Sequence, residues 1–274
     1  MPENWNVERI GSVVVAAHEN PPMNYLSATG ATEFSELIEE WRDPSVRVVV
    51  LCGDIPGRFI THYSVEELVE LSRDRDDLVD AGAGLTDDYH AMLQRLNDLP
   101  KPIVCALNGD TMGGGFEITL SSDVRIGERG DYRYGFPEVK LGILPGGTGT
   151  QRLSRLIGAG NAIEFILRGR IVDPEQALEL RLVHELADDA RARALEVAEE
   201  LAALPPVSMA MVKRAVYTGI DLPLFHGNRV ESDASYQTRL SNDAVVAMQH
   251  YVEIPPEERR DYLENGPFPV FSGK

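Results

Sequence analysis

Long apolar runs are missing from this sequence of 274 residues. A helix that crosses a membrane needs about 20 consecutive apolar residues, and no stretch of the chain offers them. The N-terminal segment MPENWNVERIG is polar and lacks the basic and apolar regions of a secretory signal peptide. We therefore expect a soluble, cytoplasmic protein that has no membrane partner.

Positive charge is also scarce. Lysine and arginine total 26 against 44 aspartates and glutamates, which gives a formal net charge of −18. Because the phosphates of nucleic acids repel a surface of this sign, the balance argues against nucleic acid as a partner. An anionic ligand would need a local basic patch or backbone N–H donors.

Cysteine is nearly absent, and histidine is scattered. The two cysteines, Cys52 and Cys105, fall in apolar runs that resemble strands, so we expect buried, reduced thiols. None of the six histidines belongs to a Cys/His cluster with the spacing of metal ligands. The sequence therefore predicts no metal site.

The chain does contain enough apolar residues for a sizeable core, since 43% of them are hydrophobic. In the first two-thirds, β-rich runs alternate with helical stretches. Val7–His18 predicts a strand pair with a turn near Gly11, and residues 27–41 predict a helix. Val46–Asp54 is a continuous apolar run, which is typical of a strand covered on both faces.

The α/β pattern then continues and gives way to helices. The charged stretch 72–88 predicts a mobile surface insertion, Tyr89–Leu99 predicts an amphipathic helix that stops before Pro100, and PIVCALNGD predicts another buried strand. Val183–Leu186 predicts a short strand. Later helical segments are Asn161–Leu167, Pro174–Leu180, Ala190–Leu204, Ser208–Tyr217 and Leu224–Tyr251. We expect an α/β core followed by a helical segment, not two independent domains.

Three consecutive glycines, Gly113–Gly115, stand where the strand PIVCALNG passes into a helix. Glycine lets the backbone approach a ligand closely, and the first N–H groups of a helix have no partner within it. This is a suitable place for a developing oxyanion. Glu117 projects from the first turns of the same helix.

A second carboxylate, Glu138, follows Pro137 in the apolar segment YGFPEVKLGILPGG. Two carboxylates that converge in an apolar site suit acid–base chemistry, because burial and mutual repulsion raise at least one pKa. From spacing alone, a structural role is favoured for each residue. Glu117 alone fits a charge that complements the helix dipole, Glu138 alone fits a helix cap, and three glycines alone fit a tight turn.

Five segments of the chain together resemble a known family. They are PPMNYLS, VRVVVLCGD, KPIVCALNGDTMGGGFEITLSSD, YGFPEVKLGILPGGTGTQRLSRLIG and the tail PFPVFSGK. Together they resemble the enoyl-CoA hydratase/isomerase superfamily, also called the crotonase family. The resemblance implies an α/β fold, with a crotonase (ClpP-like) spiral of ββα units over residues 1–204. It also implies a C-terminal helical segment, residues 205–274, that forms a homotrimer or a dimer of trimers.

The resemblance further implies an enzyme that acts on acyl-CoA thioesters through a thioester enolate. Coenzyme A is then part of the substrate, and no separate cofactor is expected. The backbone N–H groups of Tyr63 and Gly114 match the family's oxyanion hole. Glu117 and Glu138 match the two glutamates that act on water in the hydratases. Isomerases of the family usually keep only the second glutamate, so the pair favours hydration of a 2,3-double bond.

The loop RFITHYSVEEL departs from the family pattern. Where the family usually has glycine, alanine, aspartate and lysine, this chain has His62, Tyr63, Ser64 and Glu66. A side chain at position 63 leaves the backbone N–H in place, and we expect its ring to reshape the acyl pocket. By resemblance, the residues expected to contact the CoA thioester are Tyr63, Ser64, Val65, Glu66 and Gly114.

Several alternatives stay open at this point. The reaction could be double-bond isomerisation, hydratase-lyase chemistry or hydrolysis, and a branch of the superfamily binds RNA, although the charge of −18 argues against that function here. A catalytically silent scaffold is a further alternative. For His62 we favour a packing role. Four basic residues are candidates to bind the CoA phosphates: Lys101, Arg168, Lys213 and Arg214. For each of them, a solvated surface charge is the simpler interpretation.

Overall fold

Ten strands and thirteen α-helices form within residues 2–73 and 75–274, the part of the chain that the computed structural model describes. The strands are β1 (Trp5–Ile10), β2 (Val13–His18), β3 (Val48–Gly53), β4 (Gly57–Arg58), β5 (Ile103–Leu107), β6 (Gly109–Met112), β7 (Val124–Glu128), β8 (Tyr134–Gly135), β9 (Ile171–Val172) and β10 (Glu185–Ala187). The helices are α1 (Ala28–Glu40), α2 (Val65–Arg73), α3 (Arg75–Ala81), α4 (Asp87–Asn97), α5 (Gly113–Leu120), α6 (Gly149–Ile157), α7 (Ala159–Leu167), α8 (Pro174–Glu179), α9 (Ala190–Ala202), α10 (Pro206–Gly219), α11 (Leu224–Leu240), α12 (Asn242–Glu253) and α13 (Arg259–Asn265).

Two sheets organise these elements. The larger sheet has the strand order β1-β2-β3-β5-β7-β10, and the smaller sheet has the order β4-β6-β8-β9. In the larger sheet β1 pairs antiparallel with β2, and the remaining neighbours are parallel. Because β5 lies in the larger sheet and β6 in the smaller one, the segment that leads into α5 crosses from one sheet to the other.

The central strands are covered on both faces, as their continuous apolar runs predict. β2 and β3 are buried along their whole length. Successive side chains of a strand point to opposite faces, so Val15 shares a packed cluster with Ala194 of α9, whereas Val14 shares another with Phe34 of α1. The helices thus form a layer on each side of the larger sheet, and this two-sided core holds the site described below.

Most of the expected elements are confirmed. The first strand pair turns at Gly11, which has a φ of +60°, and Ser27 begins α1 by accepting a hydrogen bond of 3.0 Å from the Gly30 N–H. The short strand expected at Val183–Leu186 is present as β10, although it begins two residues later, at Glu185. Cys52 and Cys105 are buried free thiols.

Two segments differ from the regular elements around them or from the prediction. The stretch 72–88 lies at the surface as expected and carries α3 and a 3-10 turn over Gly82–Thr86. Its mobility stays a prediction, and Asp74 lies outside the described residues. The single helix expected over Leu224–Tyr251 is wrong: the backbone is extended at Ser241, whose Oγ accepts a hydrogen bond from the Ala244 N–H and begins α12.

The C-terminal helices expose many large apolar side chains. Five of these side chains, on α10, α11 and α12, are each at least half exposed: Val216, Leu224, Phe225, Leu240 and Val252. None of the helices in the described ranges is long and apolar enough to cross a membrane. The division of the chain at residues 204 and 205 stays a prediction.

The basic residues considered for CoA phosphates divide into two kinds. Lys101 is buried and the Lys213 side chain is only 10% exposed, so the expectation of solvated surface charge is wrong for both. The Lys101 Nζ donates to the carbonyl of Trp41 at 2.6 Å, and the Lys213 Nζ lies 2.8 Å from an oxygen of Asp123. Burial of an ammonium group requires such partners, and these contacts explain both lysines structurally.

The two arginines fit the expectation. Arg168 pairs with Glu164 at 2.6 Å and Arg214 pairs with Asp233 at 2.8 Å, and all four side chains are exposed. Exposed pairs of this kind contribute about 0 to 1 kcal/mol each.

Candidate active site

The junction of β6 and α5 requires glycine at two positions. Gly113 has a φ of +50°, in the left-handed region that favours glycine. A Cβ on Gly115 would lie 2.0 Å from the Ile60 carbonyl oxygen, so any side chain there would force the loop before Tyr63 away. These glycines allow the start of α5 to lie against that loop.

Two backbone N–H groups are left free by this close approach. A Cβ placed on Gly114 would lie 3.6 Å from the Tyr63 nitrogen, which shows how near the two residues are. Within the described ranges, neither the Tyr63 nor the Gly114 N–H donates a hydrogen bond to the protein. Since buried backbone donors are nearly always paired, a free pair side by side suits an oxyanion.

Glu117 is buried on α5, with 3% of its surface exposed. Its Oε1 accepts hydrogen bonds from the Gly147 N–H at 2.7 Å and the Gly149 N–H at 2.8 Å. Burial raises the pKa of Glu117 to about 7, while these two donors and the Arg152 charge act in the opposite direction. The carboxyl group is therefore held by one oxygen, and it titrates close to neutral pH.

Positions 147 and 149 require glycine because the Glu117 carboxyl group lies against their backbone. A Cβ on Gly147 would lie 2.3 Å from the Glu117 Oε2, and a Cβ on Gly149 would lie 2.8 Å from the Oε1. The sequence pattern did not single out either residue, although both lie in the segment LPGGTGTQ, which carries part of the family resemblance. The repeated glycines were the available signal, because backbone amides that surround an anion leave no room for side chains.

Glu138 lies at the start of a 3-10 turn directly after Pro137. It is 8% exposed, and its Oε2 has no hydrogen-bond partner among the described residues. Its Oε1 would lie 3.0 Å from a Cβ on Gly113, which places the carboxyl group at the junction of β6 and α5. Burial, with a smaller contribution from the Glu117 charge, raises its pKa to about 8.

The two carboxyl groups can therefore divide the roles of acid and base. Glu117, with a pKa of about 7, is the more readily ionised, because two N–H groups stabilise its charge. Glu138, with a pKa of about 8, keeps its proton to higher pH and has an oxygen without a protein partner. Because the Glu117 charge contributes to the raised pKa of Glu138, ionisation of the first carboxyl group makes loss of the second proton harder.

Aromatic rings bound the same space. The rings of Tyr63 and Tyr89 are perpendicular, with centroids 6.1 Å apart, and the Tyr89 hydroxyl donates to the Gly114 carbonyl at 2.9 Å. Burial, then the nearby Glu67 carboxylate, raises the pKa of the Tyr63 phenol. Sequence reasoning missed Tyr89, whose only signal was an aromatic residue near the start of an amphipathic helix.

The remaining loop residues have structural contacts. His62 stacks on Tyr25, with ring centroids 4.2 Å apart, which agrees with the packing role favoured from the sequence. The Ser64 N–H donates to the Leu26 carbonyl, and its hydroxyl accepts from the Glu67 N–H at the start of α2. Contact of Ser64, Val65 and Glu66 with a thioester stays a prediction.

The fold and the site together define a class of protein: an α/β protein of the crotonase fold that brings two buried carboxyl groups beside a pair of free N–H donors. The family described as enoyl-CoA hydratase/isomerase matches residues 8–259. The chain belongs to the enoyl-CoA hydratase/isomerase family.

Individual relatives are similar over most of the chain. A short-chain-enoyl-CoA hydratase of Clostridium acetobutylicum is 31% identical over 254 residues, which cover 91% of this chain and 95% of that protein. Human mitochondrial methylglutaconyl-CoA hydratase is 28% identical over 91% of this chain and 74% of its own length. The crystal structure of an enoyl-CoA hydratase from Bacillus anthracis superposes with a TM-score of 0.85 at 26% identity, over 99% of this chain and 100% of that one. The expected crotonase fold is confirmed.

Replacement of Glu138 by glutamine is expected to remove a source of instability at alkaline pH. The folded-state pKa of Glu138 is raised from 4.5 to about 8, so the folded protein binds this proton more tightly than the unfolded chain does. The resulting stabilisation is complete below the unfolded pKa and is lost as the pH rises through about 8, at about 1.4 kcal/mol for each unit of pKa. The free energy of unfolding of Glu138→Gln minus that of the native protein should therefore increase between about pH 5 and about pH 9.

Urea denaturation across this interval measures the difference. Glu36→Gln is the matched control, because the Glu36 carboxylate is exposed on α1 and meets solvent in both states. A difference for Glu138→Gln that stays constant with pH would show that this carboxyl group has an ordinary pKa.

Proposed function

We propose that this protein is an enoyl-CoA hydratase, which adds water across the 2,3-double bond of an enoyl-CoA thioester. One observation carries the proposal: two buried carboxyl groups, Glu117 and Glu138, converge beside the two free N–H groups of Tyr63 and Gly114. Water addition to a conjugated thioester needs a base for water, an acid for the α-carbon and donors for the enolate oxygen. The similarity to relatives named as enoyl-CoA hydratases supports the same reaction.

In the proposed mechanism, the thioester oxygen accepts hydrogen bonds from the Tyr63 and Gly114 N–H groups. Ionised Glu117 removes a proton from water as the water oxygen bonds to the β-carbon, and the double-bond electrons move to form the enolate. Protonated Glu138 then gives its proton to the α-carbon, and the thioester carbonyl re-forms. Proton exchange with solvent restores both carboxyl groups. Each step uses groups of this chain, and coenzyme A enters only as part of the substrate.

The raised pKa values fit these roles. A base must be ionised and an acid protonated at the same time, and this condition holds best where the pH lies between the two pKa values. For Glu117 and Glu138 these are about 7 and about 8. Loss of one oxyanion donor typically costs on the order of a hundredfold or more in rate, so the paired N–H groups are as necessary as the carboxyl groups.

Glu117→Gln is expected to lower the turnover of hydration by about a hundred- to ten-thousandfold, the usual contribution of a general acid–base group. Glutamine keeps a carbonyl oxygen that can accept from the Gly147 and Gly149 N–H groups, so folding and CoA binding should be preserved. The assay follows the loss of absorbance of the conjugated enoyl thioester. Glu138→Gln should behave similarly.

The matched control is Glu128→Gln, since Glu128 also accepts two hydrogen bonds but lies outside the site, against Tyr132 and Ala190. This variant should keep native turnover. Near-normal hydration by Glu117→Gln would overturn the role of Glu117 as the base for water. A native protein that moves the double bond of an enoyl-CoA without adding water would overturn the hydratase assignment and favour isomerisation instead.

Tyr63→Ala is expected to change substrate choice more than it lowers the best rate. The substitution keeps the backbone N–H but empties the volume of a ring that packs against Tyr89 beside Gly114. The ratio of kcat/KM for a bulky enoyl-CoA to that for a short one should rise. Tyr132→Ala, which removes a partly buried ring that packs against the core at another place, is the control.

An unchanged ratio would mean that the Tyr63 ring does not limit the acyl pocket. A uniform collapse of rate for all substrates would instead give the phenol a chemical role, and the protein would then differ from an ordinary hydratase.

We also propose that the chain forms a homotrimer or a dimer of trimers. The exposed apolar side chains of α10, α11 and α12 support it, because a protomer rarely leaves so large an apolar surface in water. Static light scattering at micromolar concentration should give three or six times the mass of the 30.2 kDa chain. A mass of one chain would contradict the proposal.

A further inference from the structure

Asn24 lies in the segment PPMNYLS and is fully buried, at 0% exposure. Its φ is +57°, in the left-handed region that asparagine tolerates better than most residues. Both ends of its amide are used. The Nδ2 donates to the carbonyls of Phe59 and His18, and the Oδ1 accepts from the Asn20 N–H at 2.7 Å and faces the His18 Nδ1 at 3.0 Å.

The same segment pairs with the loop that carries Tyr63. The Thr61 N–H donates to the Asn24 carbonyl at 3.1 Å, and the Thr61 hydroxyl donates to the Met23 carbonyl at 2.5 Å. Further along, the Leu26 N–H donates to the His62 carbonyl at 2.8 Å.

The pairing continues past Tyr63 and leaves its N–H out. The Ser64 N–H donates to the Leu26 carbonyl at 2.7 Å, so the peptide groups on each side of Tyr63 are fixed. In this parallel arrangement the Tyr63 N–H points away from the segment. It is therefore the free donor of a loop whose neighbouring groups are held.

The opposite edge of the loop is held by the strand that leads to Gly114. The Phe59 N–H donates to the Asp110 carbonyl at 3.2 Å, and the Met112 N–H donates to the Thr61 carbonyl at 2.8 Å. The loop thus lies between the segment of Asn24 and β6. Its position along this path decides the distance between the Tyr63 and Gly114 N–H groups.

We infer that Asn24 is a positioning residue that sets the Tyr63 N–H for the thioester oxygen, an inference that rests on the proposed function. Asn24 does not touch the substrate in this account. It is the buried side chain that ties the loop, through the Phe59 carbonyl, to the strand end at His18. Oxyanion donors are effective only when they are fixed where the charge develops, and a small displacement can cost much of the rate.

Asparagine meets these requirements in a way that close substitutes do not. Aspartate has the same shape, but its carboxylate would face the Phe59 and His18 carbonyl oxygens without a proton to donate. Glycine would keep the left-handed backbone and lose the side-chain contacts. The two variants therefore separate the hydrogen bonds of Asn24 from its backbone conformation.

The test combines kinetics with the spectrum of a bound substrate analogue. The analogue is a cinnamoyl-CoA with an electron-donating amino group on the ring, whose absorption moves to longer wavelength when the thioester oxygen accepts hydrogen bonds. Asn24→Gly and Asn24→Asp should each lower kcat for the best enoyl-CoA on the order of a hundredfold with little change in KM. The shift to longer wavelength on binding should shrink in the same variants.

Two further variants complete the design. Thr61→Val removes the hydroxyl that donates to the Met23 carbonyl, so it should reduce kcat and the spectral shift in the same direction by less. It also carries the test if the Asn24 variants fail to fold, as judged by thermal unfolding. Asn97→Asp is the control, because Asn97 is buried at the far end of α4, and it should leave the shift unchanged.

The outcomes distinguish a failure of the proposed function from a failure of the positioning role of Asn24. A native protein that neither hydrates enoyl-CoA nor shifts the analogue's spectrum would refute the proposed function. Native activity and a native shift, together with folded Asn24 or Thr61 variants that keep both, would refute the positioning role. A loss confined to KM would also refute it, since positioning of an oxyanion donor acts on the transition state.

Discussion

The rest of the site depends on the burial of one carboxyl group, Glu117, against the N–H groups of Gly147 and Gly149. This contact joins α5 to the start of α6, which come from separate parts of the chain. The two N–H groups bind Oε1 of Glu117 and leave its Oε2 without these donors. Burial raises the pKa of Glu117, and the two hydrogen bonds oppose this rise, so that the pKa is about 7. Removal of either donor would leave the charge less compensated in an apolar surrounding.

The same contact explains the glycine content of the site. Glycine is required at Gly115 by the approach of the Tyr63 loop and at Gly147 by the Glu117 carboxylate. The two requirements are linked, because the helix that presents Glu117 is also the helix whose first turn presents the Gly114 N–H. One short helix therefore fixes Glu117, the proposed base, and Gly114, one of the proposed oxyanion donors, relative to each other. Glu138 and the Tyr63 N–H arrive from outside it and complete the arrangement.

Local sequence patterns predicted much of the fold and part of the candidate site. Continuous apolar runs predicted the buried strands β2 and β3, and the glycines before Glu117 predicted a helix start with free donors. Contacts between distant segments were not predictable in the same way, because nothing local in LPGGTGTQ specifies that its amides bind Glu117. The burial of Lys101 was missed for a similar reason, since the carbonyl of Trp41 that compensates its charge comes from another part of the chain. The break at Ser241 was missed because serine is compatible with both a helix interior and a helix cap.

The central claim is that Glu117 is ionised while Glu138 keeps its proton near neutral pH. A titration of the side-chain carboxyl carbons by ¹³C NMR, with signals assigned by their loss in Glu117→Gln and Glu138→Gln, measures this most directly. Two transitions are expected, at about 7 for Glu117 and at about 8 for Glu138. If both signals instead titrate near 4.5, the ordinary value for glutamate, the two carboxylates would both be ionised at neutral pH, and the division into acid and base would be contradicted.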